Sequence, residues 1–212
     1  MPSFQGPGTP PLSVLMRHNC RSDHFFRRAK KEGYRSRSAY KLKEIQKRFQ
    51  LIRRGDRVLD LGSSPGGFLQ VIREAVGEKG VIVGVDLMPI PPLPYGNIHL
   101  YRGDVRTIDM GSIMAKEGIQ AFDVMTSDLS PNLSGITEVD EKRTLEFFES
   151  CKEIARDHLR AGGHLLFKTF FFPSFKSMKK QMEGLFERCL VIKPQASKKE
   201  SSEVYLLCLN KR

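Results

Sequence analysis

Short apolar runs alternate along the chain with segments whose apolar residues recur every three or four positions. Runs of strand type lie at 58–61, 81–85, 98–101, 122–127, 165–170, 190–193 and 204–209. Segments of helical period lie at 23–31, 38–49, 68–76, 105–118, 138–159 and 174–186. Strands that alternate with helices predict an α/β domain with a mostly parallel sheet and helices on both faces. Such sheets bind ligands at the carboxyl ends of their strands.

A glycine-rich turn, Asp60-Leu-Gly-Ser-Ser-Pro-Gly-Gly-Phe68, joins the first predicted strand to a helix. Its glycines, at 62, 66 and 67, allow a ligand to approach the main chain, and the helix directs its free N–H groups at that ligand. The spacing differs from the dinucleotide pattern G-x-G-x-x-G. The carboxylate of Asp60 suits a ligand with positive charge, such as S-adenosylmethionine, better than a pyrophosphate. A purely structural strand and turn is the alternative.

Length and composition are those of a single globular domain. The chain has 212 residues, of which 40% are hydrophobic and 28% charged. We expect no fixed structure in the Pro- and Gly-rich residues 1–20, and one domain over 21–212 with a basic helical segment at 21–55. No apolar run is long enough for a membrane span, and no secretory signal is visible. The four cysteines form no C-x-x-C pair, which favours reduced thiols in a cytoplasmic protein without a metal site.

The net charge of +11 comes from one N-terminal segment. Residues 17–57 contain 15 Lys or Arg and 4 Asp or Glu, whereas the rest of the chain is balanced. A block of like charge is often only a solvated face, but this one adjoins the glycine turn and indicates a phosphate-binding surface for RNA. An anionic membrane is the weaker alternative, because few large apolar residues accompany the charges. The predicted phosphate contacts are Arg27, Arg28, Lys30, Lys31, Arg35 and Arg37, with Lys198 and Lys199 as additions.

Two further positions are candidates for chemistry. Asp86 ends the second predicted strand about 20 residues after the turn, where nucleotide folds place a ribose-binding acid. A plain strand-end aspartate is the alternative. Lys41 falls in the first turn of a helix with Ser38 as predicted N-cap, and there its charge opposes the helix dipole. Tyr34 and Tyr40 lie among the basic residues, where each could stack on a base or, for Tyr40, pack in the core.

Five motifs in register resemble the FtsJ-like ribose 2'-O-methyltransferases over residues 22–209. They are Arg35-Ser-Arg-Ser-Ala-Tyr-Lys41-Leu, the glycine turn at 60–68, Ser127-Asp-Leu-Ser-Pro-Asn132, Leu166-Phe-Lys168 and Ser202-Glu-Val-Tyr205. The resemblance implies a seven-stranded Rossmann-like fold and S-adenosylmethionine as methyl donor. It implies a catalytic tetrad at Lys41, Asp128, Lys168 and Glu203. It implies donor contacts at Gly66, Phe68, Asp86, Asp104 and Asp128.

The sequence departs from the family pattern at two places. Phe68 stands where close relatives often have Trp, and we expect it to remain an aromatic or apolar wall. The segment Phe170-Phe-Phe-Pro173 replaces a more polar, Gly-containing loop after Lys168. This second departure bears on how the target nucleotide is held rather than on the chemistry.

The role of Lys168 is open at this level. Burial favours a neutral lysine that removes the proton of the 2'-hydroxyl, whereas nearby Asp128 and Glu203 favour an ammonium that orients the oxygen. The resemblance implies 2'-O-methylation of RNA, with a uridine of large-subunit ribosomal RNA as the expected substrate, and we expect the protein to be a monomer. Transfer RNA and messenger RNA caps are alternative substrates. A non-catalytic ribosome assembly factor is the alternative outside the enzyme class.

Overall fold

The computed structural model describes residues 24–131, 133–197 and 201–212. The predicted leader at 1–20 and the additional phosphate contacts Lys198 and Lys199 lie outside these ranges. The elements, in chain order, are α1 (His24–Glu32), α2 (Ala39–Phe49), β1 (Arg57–Leu61), α3 (Gly67–Val76), β2 (Val81–Asp86), β3 (Ile98–Arg102), α4 (Met110–Lys116), β4 (Phe122–Ser127), α5 (Thr137–His158), β5 (Leu159–Phe170), α6 (Phe175–Leu185), β6 (Phe186–Ile192) and β7 (Glu203–Lys211).

The seven strands form one sheet in the order β3-β2-β1-β4-β5-β7-β6. Strand β7 is antiparallel to both of its neighbours, whereas the pairs among β1 to β5 are parallel. This arrangement confirms the predicted mostly parallel α/β sheet. The strand order reverses between β1 and β4, and this is the point at which open α/β sheets bind ligands.

Two apolar clusters cover the two faces of the sheet. On one face, Leu42 and Ile45 of α2 and Leu69 and Ile72 of α3 pack in one cluster. On the other face, helices α4, α5 and α6 pack through residues that include Met114, Phe148 and Met182. Because successive side chains of a strand point to opposite faces, neighbouring residues of β1 enter different clusters: Val58 packs with α2 and α3, and Leu59 with the other helices.

Three predicted boundaries were wrong. The helix expected at 105–118 is shorter, because Asp109 accepts a hydrogen bond from Ser112 N (3.0 Å) and starts α4 at Met110. Strand β5 begins at Leu159 rather than at 165, because Leu159, the predicted last residue of a helix, pairs with Phe122 before a register shift in the pairing. Strand β6 begins at Phe186 rather than at 190, because Phe186 already pairs with Lys211.

The basic N-terminal segment forms helices α1 and α2. Ser38 occupies the predicted N-cap position of α2, but its hydroxyl lies 2.6 Å from Ser36 Oγ and does not cap the helix. Lys41 lies in the first turn of α2, as predicted, and is buried. Within the described residues, no helix combines the length and apolar character needed to cross a bilayer.

Candidate active site

The four residues of the predicted tetrad come from three elements and one turn. Asp128 directly follows β4, Lys168 lies near the end of β5, Glu203 begins β7 and Lys41 belongs to α2. In the antiparallel pairing, Lys168 is opposite Tyr205, and Glu203 is opposite Phe170. Paired residues, and residues two apart on one strand, point to the same face of a sheet. The pairing therefore brings Lys168 and Glu203 to the face that α2 covers.

Lys168 is held by Asp128. Its Nζ donates to the main-chain oxygen of Asp128 (2.8 Å) and lies 3.1 Å from Asp128 Oδ1. The Tyr205 hydroxyl donates to the same oxygen, Oδ1, at 2.5 Å. Burial, with a further contribution from Asp128, raises the pKa of Tyr205 well above its usual value, so this hydroxyl keeps its proton and remains a donor. Two donors therefore fix one oxygen of the Asp128 carboxylate.

Lys41 and Glu203 form the second ion pair of the site. Lys41 Nζ lies 2.5 Å from Glu203 Oε1, and the Ser197 hydroxyl donates to that same oxygen at 2.8 Å. Lys41 Nζ also lies 5.7 Å from the centre of the Tyr205 ring, within cation–π range. Tyr205 thus contacts both ion pairs, through its hydroxyl on one side and its ring on the other.

The site balances its buried charges. The side chains of Lys41 and Lys168 are 6% and 7% exposed, and those of Glu203 and Asp128 are 13% and 16% exposed. Buried charges are costly unless opposite charges and hydrogen bonds compensate them. Here each ammonium has one carboxylate, and each carboxylate receives a second hydrogen bond from a hydroxyl. The arrangement keeps two cations in place around Tyr205.

The adjoining cleft has a volume of about 400 Å³ and lies at the carboxyl ends of the strands. Three of its acids are the predicted donor contacts Asp86, Asp104 and Asp128, and Gly62 and Ser64 of the turn also line it. Asp128 therefore belongs to both the cleft and the lysine cluster. No set of three or more His, Cys, Asp or Glu side chains is arranged for a metal ion in the described ranges.

Two of the cleft acids have partners within the protein. Asp86 accepts hydrogen bonds from the main-chain N–H groups of Ser64 and Met88 at 2.8 and 2.7 Å. Asp104 forms an ion pair with Arg106 (2.6 Å), whose hydrogen bonds lower the pKa of the Asp104 carboxyl. Both acids are therefore oriented before any ligand is present, and Asp104 is available to a ligand only on the side that Arg106 leaves open.

Asp60 lies behind the glycine turn and is completely buried. Its Oδ1 accepts a hydrogen bond from the Thr126 hydroxyl (2.6 Å), whereas Oδ2 has no hydrogen-bond partner within the described residues. Burial raises the pKa of Asp60 to about 7, and the nearby carboxylates of Asp128 and Asp86 contribute in the same direction. Because Asp60 is fully buried and does not line the cleft, its carboxyl supports the turn from behind, and the expectation that it meets a positively charged ligand was wrong.

The turn glycines are needed by the protein's own packing. A Cβ on Gly62 would lie 2.9 Å from Leu129 N, and Gly62 has a φ of +79°. At Gly66 (φ +111°), a Cβ would lie 3.0 Å from Arg35 Nη1. Phe68 is 2% exposed, and its ring stacks on that of Tyr205 with the ring centres 6.4 Å apart. Any contact of Phe68 with a ligand in this structure would therefore come from its main chain rather than from its ring.

The predicted RNA contacts fall into two groups. Arg27, Arg28, Lys30 and Lys31 are exposed on α1, although Arg28 pairs with Glu32 at 2.7 Å. Arg37 is half-buried. Arg35 is engaged by the protein: its guanidinium donates to the main-chain oxygens of Pro91 (2.5 Å) and Pro92 (2.6 Å) and, more weakly, to Pro65. The exposed group on α1 therefore has the freedom to meet phosphates, whereas Arg35 joins the N-terminal segment to the glycine turn.

The two tyrosines of this segment also differ. Tyr40 is 5% exposed and packs against Phe25 and Tyr34, so core packing is the correct interpretation for it. Tyr34 is half-buried, donates to Glu74 Oε1 at 2.5 Å and accepts a hydrogen bond from Lys43. Its hydroxyl is therefore also engaged within the protein.

Residues 34–211 match the family model described as FtsJ-like methyltransferase. The chain belongs to that family. Among similar curated proteins, a Methanothrix thermoacetophila protein named ribosomal RNA large subunit methyltransferase E is 46% identical over 87% of this chain and 71% of its own. Proteins of the same name from Methanobrevibacter smithii and Myxococcus xanthus are 41% and 39% identical over 89% and 90% of this chain, and over 90% and 89% of their own.

A solved structure described as a ribosomal RNA methyltransferase from Plasmodium falciparum matches this methyltransferase with a TM-score of 0.72 and 26% identity. The match covers 84% of this chain and 98% of the other. Its agreement with the present structure confirms the predicted fold class.

Three residues with clear contacts at the site were not assigned a role from the sequence. Tyr205 lies two residues after Glu203 on one strand, and this spacing of two could have placed it on the same face. Arg106 follows Asp104 by two residues, but its contact depends on the turn between them. Ser197 reaches Glu203 across a loop, and no sequence signal pointed to that contact.

Proposed function

We propose that this methyltransferase transfers the methyl group of S-adenosylmethionine to a ribose 2'-hydroxyl of RNA, and that its substrate is a uridine of large-subunit ribosomal RNA. The observation that carries the proposal is the pairing of Lys168 with Asp128, an acid that also lines the neighbouring cleft. A cation-binding cleft and a hydroxyl-orienting lysine therefore share one side chain. The names of the curated relatives support ribosomal RNA as substrate.

The cleft residues fit the donor. S-adenosylmethionine supplies an electrophilic methyl group on a positively charged sulfur. Asp86, fixed by two main-chain N–H groups, would accept hydrogen bonds from the ribose hydroxyls, and Asp104 would bind the base on the side that Arg106 leaves open. Gly66 and Phe68 do not line this cleft, so their predicted donor contacts would have to come from main-chain groups of the turn beside it. Of the three acids that line the cleft, Asp104 and Asp128 each pair with one cation, whereas Asp86 accepts only main-chain hydrogen bonds among the described residues. The negative charge that remains favours a cationic ligand over a pyrophosphate.

Lys168 would orient the attacking oxygen. Transfer requires the 2'-oxygen to lie about 3 Å from the methyl carbon, so positioning is the first requirement. Asp128 accepts two contacts from the Lys168 ammonium, through its main-chain oxygen and Oδ1, and leaves a third N–H direction for the substrate. In this role the ammonium would stabilise negative charge on the 2'-oxygen while the hydroxyl proton passes to water, the oxygen bonds the methyl carbon and the carbon–sulfur bond of the donor breaks.

Lys41 and Glu203 would complete the pocket for the target ribose. Their ion pair is held by Ser197, and the Tyr205 ring separates it from the Lys168 pair. The exposed cations of α1 would bind flanking phosphates, because phosphate contacts position an RNA without reading its sequence. Affinity for RNA should then fall steeply with salt.

The test is methyl transfer from tritiated S-adenosylmethionine to large-subunit RNA, assembled particles, transfer RNA and capped RNA. We expect label on large-subunit RNA or particles, and none with Lys168→Ala, although that variant should still bind the donor in calorimetry. Lys116→Ala, which removes an exposed lysine beside Tyr101, is the matched control and should keep normal activity.

A second variant distinguishes the two roles of Lys168. Lys168→Arg keeps the positive charge but cannot accept a proton. We expect it to retain measurable transfer if the ammonium orients the oxygen. Activity no higher than that of Lys168→Ala would favour the proton-accepting role. If wild-type protein labels no class of RNA, the enzymatic proposal fails and the assembly-factor alternative is favoured.

A further inference from the structure

An exposed aromatic side chain lies on the turn that follows β5. Phe171 is 56% exposed, whereas Phe170 before it is 5% exposed. Single exposed apolar residues are common on protein surfaces and do not by themselves indicate a site. Phe171 differs in its location, because it follows Lys168 by three residues, or about 10 Å at the rise of a strand.

The turn holds Phe171 at the edge of the sheet where β5 ends, with its main chain next to the start of β7 and its ring against α6. The Phe171 N–H donates to the main-chain oxygen of Ser202 (3.2 Å), the residue before Glu203. The ring packs edge-on against that of Phe175, with the two ring centres 4.9 Å apart and an interplanar angle of 68°. Because main chain and ring are both held, a ligand that stacks on Phe171 would not have to order this side chain on binding.

Positive charges accompany the ring. Lys176 and Lys180 are exposed on α6, which begins at Phe175. One carboxylate also reaches the turn: Glu141 of α5 accepts a hydrogen bond from Ser174 N at 2.6 Å and so fixes the start of α6. An exposed aromatic ring with exposed lysines on the helix that follows it matches the chemistry of single-stranded nucleic acid, whose bases stack on aromatic rings while its phosphates contact lysines.

We propose that Phe171 stacks on the base of a nucleotide that flanks the methylated one, with Lys176 and Lys180 near the adjoining phosphates. The inference rests on the proposed function, since it requires RNA as the substrate. Every base has a π-face, so this contact adds affinity and fixes the position of the strand rather than reading its sequence. The chain-specific Phe-Phe-Phe-Pro turn would therefore determine how the RNA passes the tetrad.

The first test compares variants on an RNA fragment that wild-type protein methylates. Phe171→Ala should raise KM for RNA about 10-fold or more with little change in kcat or in donor affinity. Phe171→Trp should retain a low KM, whereas Phe171→Leu, which is apolar without a π-face, should not. Tyr95→Ala is the matched control, because Tyr95 is 43% exposed and packs against Arg73 in the loop between β2 and β3.

The second test locates the base. Abasic residues are placed one at a time beside the target nucleotide, and each RNA is assayed with wild-type protein and with Phe171→Ala. At one flanking position, we expect the abasic RNA to raise the wild-type KM as much as the Phe171→Ala substitution does, and the two changes together to add nothing further. Independent effects at every position would overturn the inference. A normal KM for Phe171→Ala, with Lys168→Ala inactive, would reject it while leaving the proposed function intact.

Discussion

The buried carboxyl of Asp60 should make the stability of the folded protein depend on pH. In the folded state the pKa of this group is raised to about 7 from an ordinary value of 3.8, mainly by burial. A raised pKa means that folding favours the protonated acid. The stabilisation is therefore fully present below about pH 4 and is lost as the pH rises through 7.

The size of the effect follows from the shift. One pKa unit corresponds to about 1.4 kcal/mol, so the full difference is about 4 kcal/mol. Between pH 5 and pH 8 the free energy of unfolding should lose about 2 to 3 kcal/mol from this one group. Asp60→Asn keeps an acceptor for the Thr126 hydroxyl but cannot ionise. Its stability relative to wild type should therefore improve by that amount over the same range.

Urea unfolding at pH 5, 6, 7 and 8 measures this difference. With a denaturant slope of about 2 kcal/mol per molar, the difference in urea midpoint between Asp60→Asn and wild type should increase by about 1 M from pH 5 to pH 8, in favour of the variant. Asp109→Asn is the control, because hydrogen bonds from Ser112 lower the pKa of the exposed Asp109, and neither state titrates above pH 5. If the difference between Asp60→Asn and wild type stays constant within about 0.5 kcal/mol, the argument from burial is refuted.

Three further predictions test other parts of the structure. Lys30→Ala with Lys31→Ala should weaken RNA binding and reduce the slope of log affinity against log salt by about 2, and an unchanged slope would count against the α1 surface. Arg106→Ala releases Asp104 from its ion pair and should change donor affinity in calorimetry without abolishing transfer; an unchanged affinity would remove Asp104 from the donor site. Phe148→Ala, in the core between α5 and the sheet, should cost about 3 to 5 kcal/mol of unfolding free energy, and a loss below 1 kcal/mol would contradict its packing role.

The order of strands and helices could be predicted from the sequence because buried strands and amphipathic helices have different apolar periods. The errors fell at boundaries where tertiary contacts decide. Strand β6 extends back to Phe186 because β7 offers it a partner, and periodicity does not contain that pairing. Helix α4 starts at Met110 because Asp109 caps it. The prediction from apolar periodicity extended the helix back to 105 because it gave this local capping signal no weight.

The residues of the site were predictable by type but not by contact. Asp128 and Lys168 lie at or near the carboxyl ends of β4 and β5, which a parallel sheet brings to one edge. Glu203 joins them because it begins β7, which is antiparallel to β5. Their pairing could not be predicted, since either lysine could have joined either acid. The engagement of Arg35 with the main-chain oxygens of Pro91 and Pro92 was equally hidden, because it depends on a loop that the chain reaches more than fifty residues later.

That contact of Arg35 affects how mutations in the basic segment should be interpreted. Arg35 N also donates to Gln70 in α3, so this residue joins the N-terminal helices to three separate parts of the donor side. Replacing it would disturb the glycine turn and the proposed donor site together with any RNA contact, and a single activity measurement would combine two losses. Mutational scans that aim to map the RNA-binding surface should therefore measure the salt dependence of binding with variants of α1, and should treat Arg35 as a structural residue.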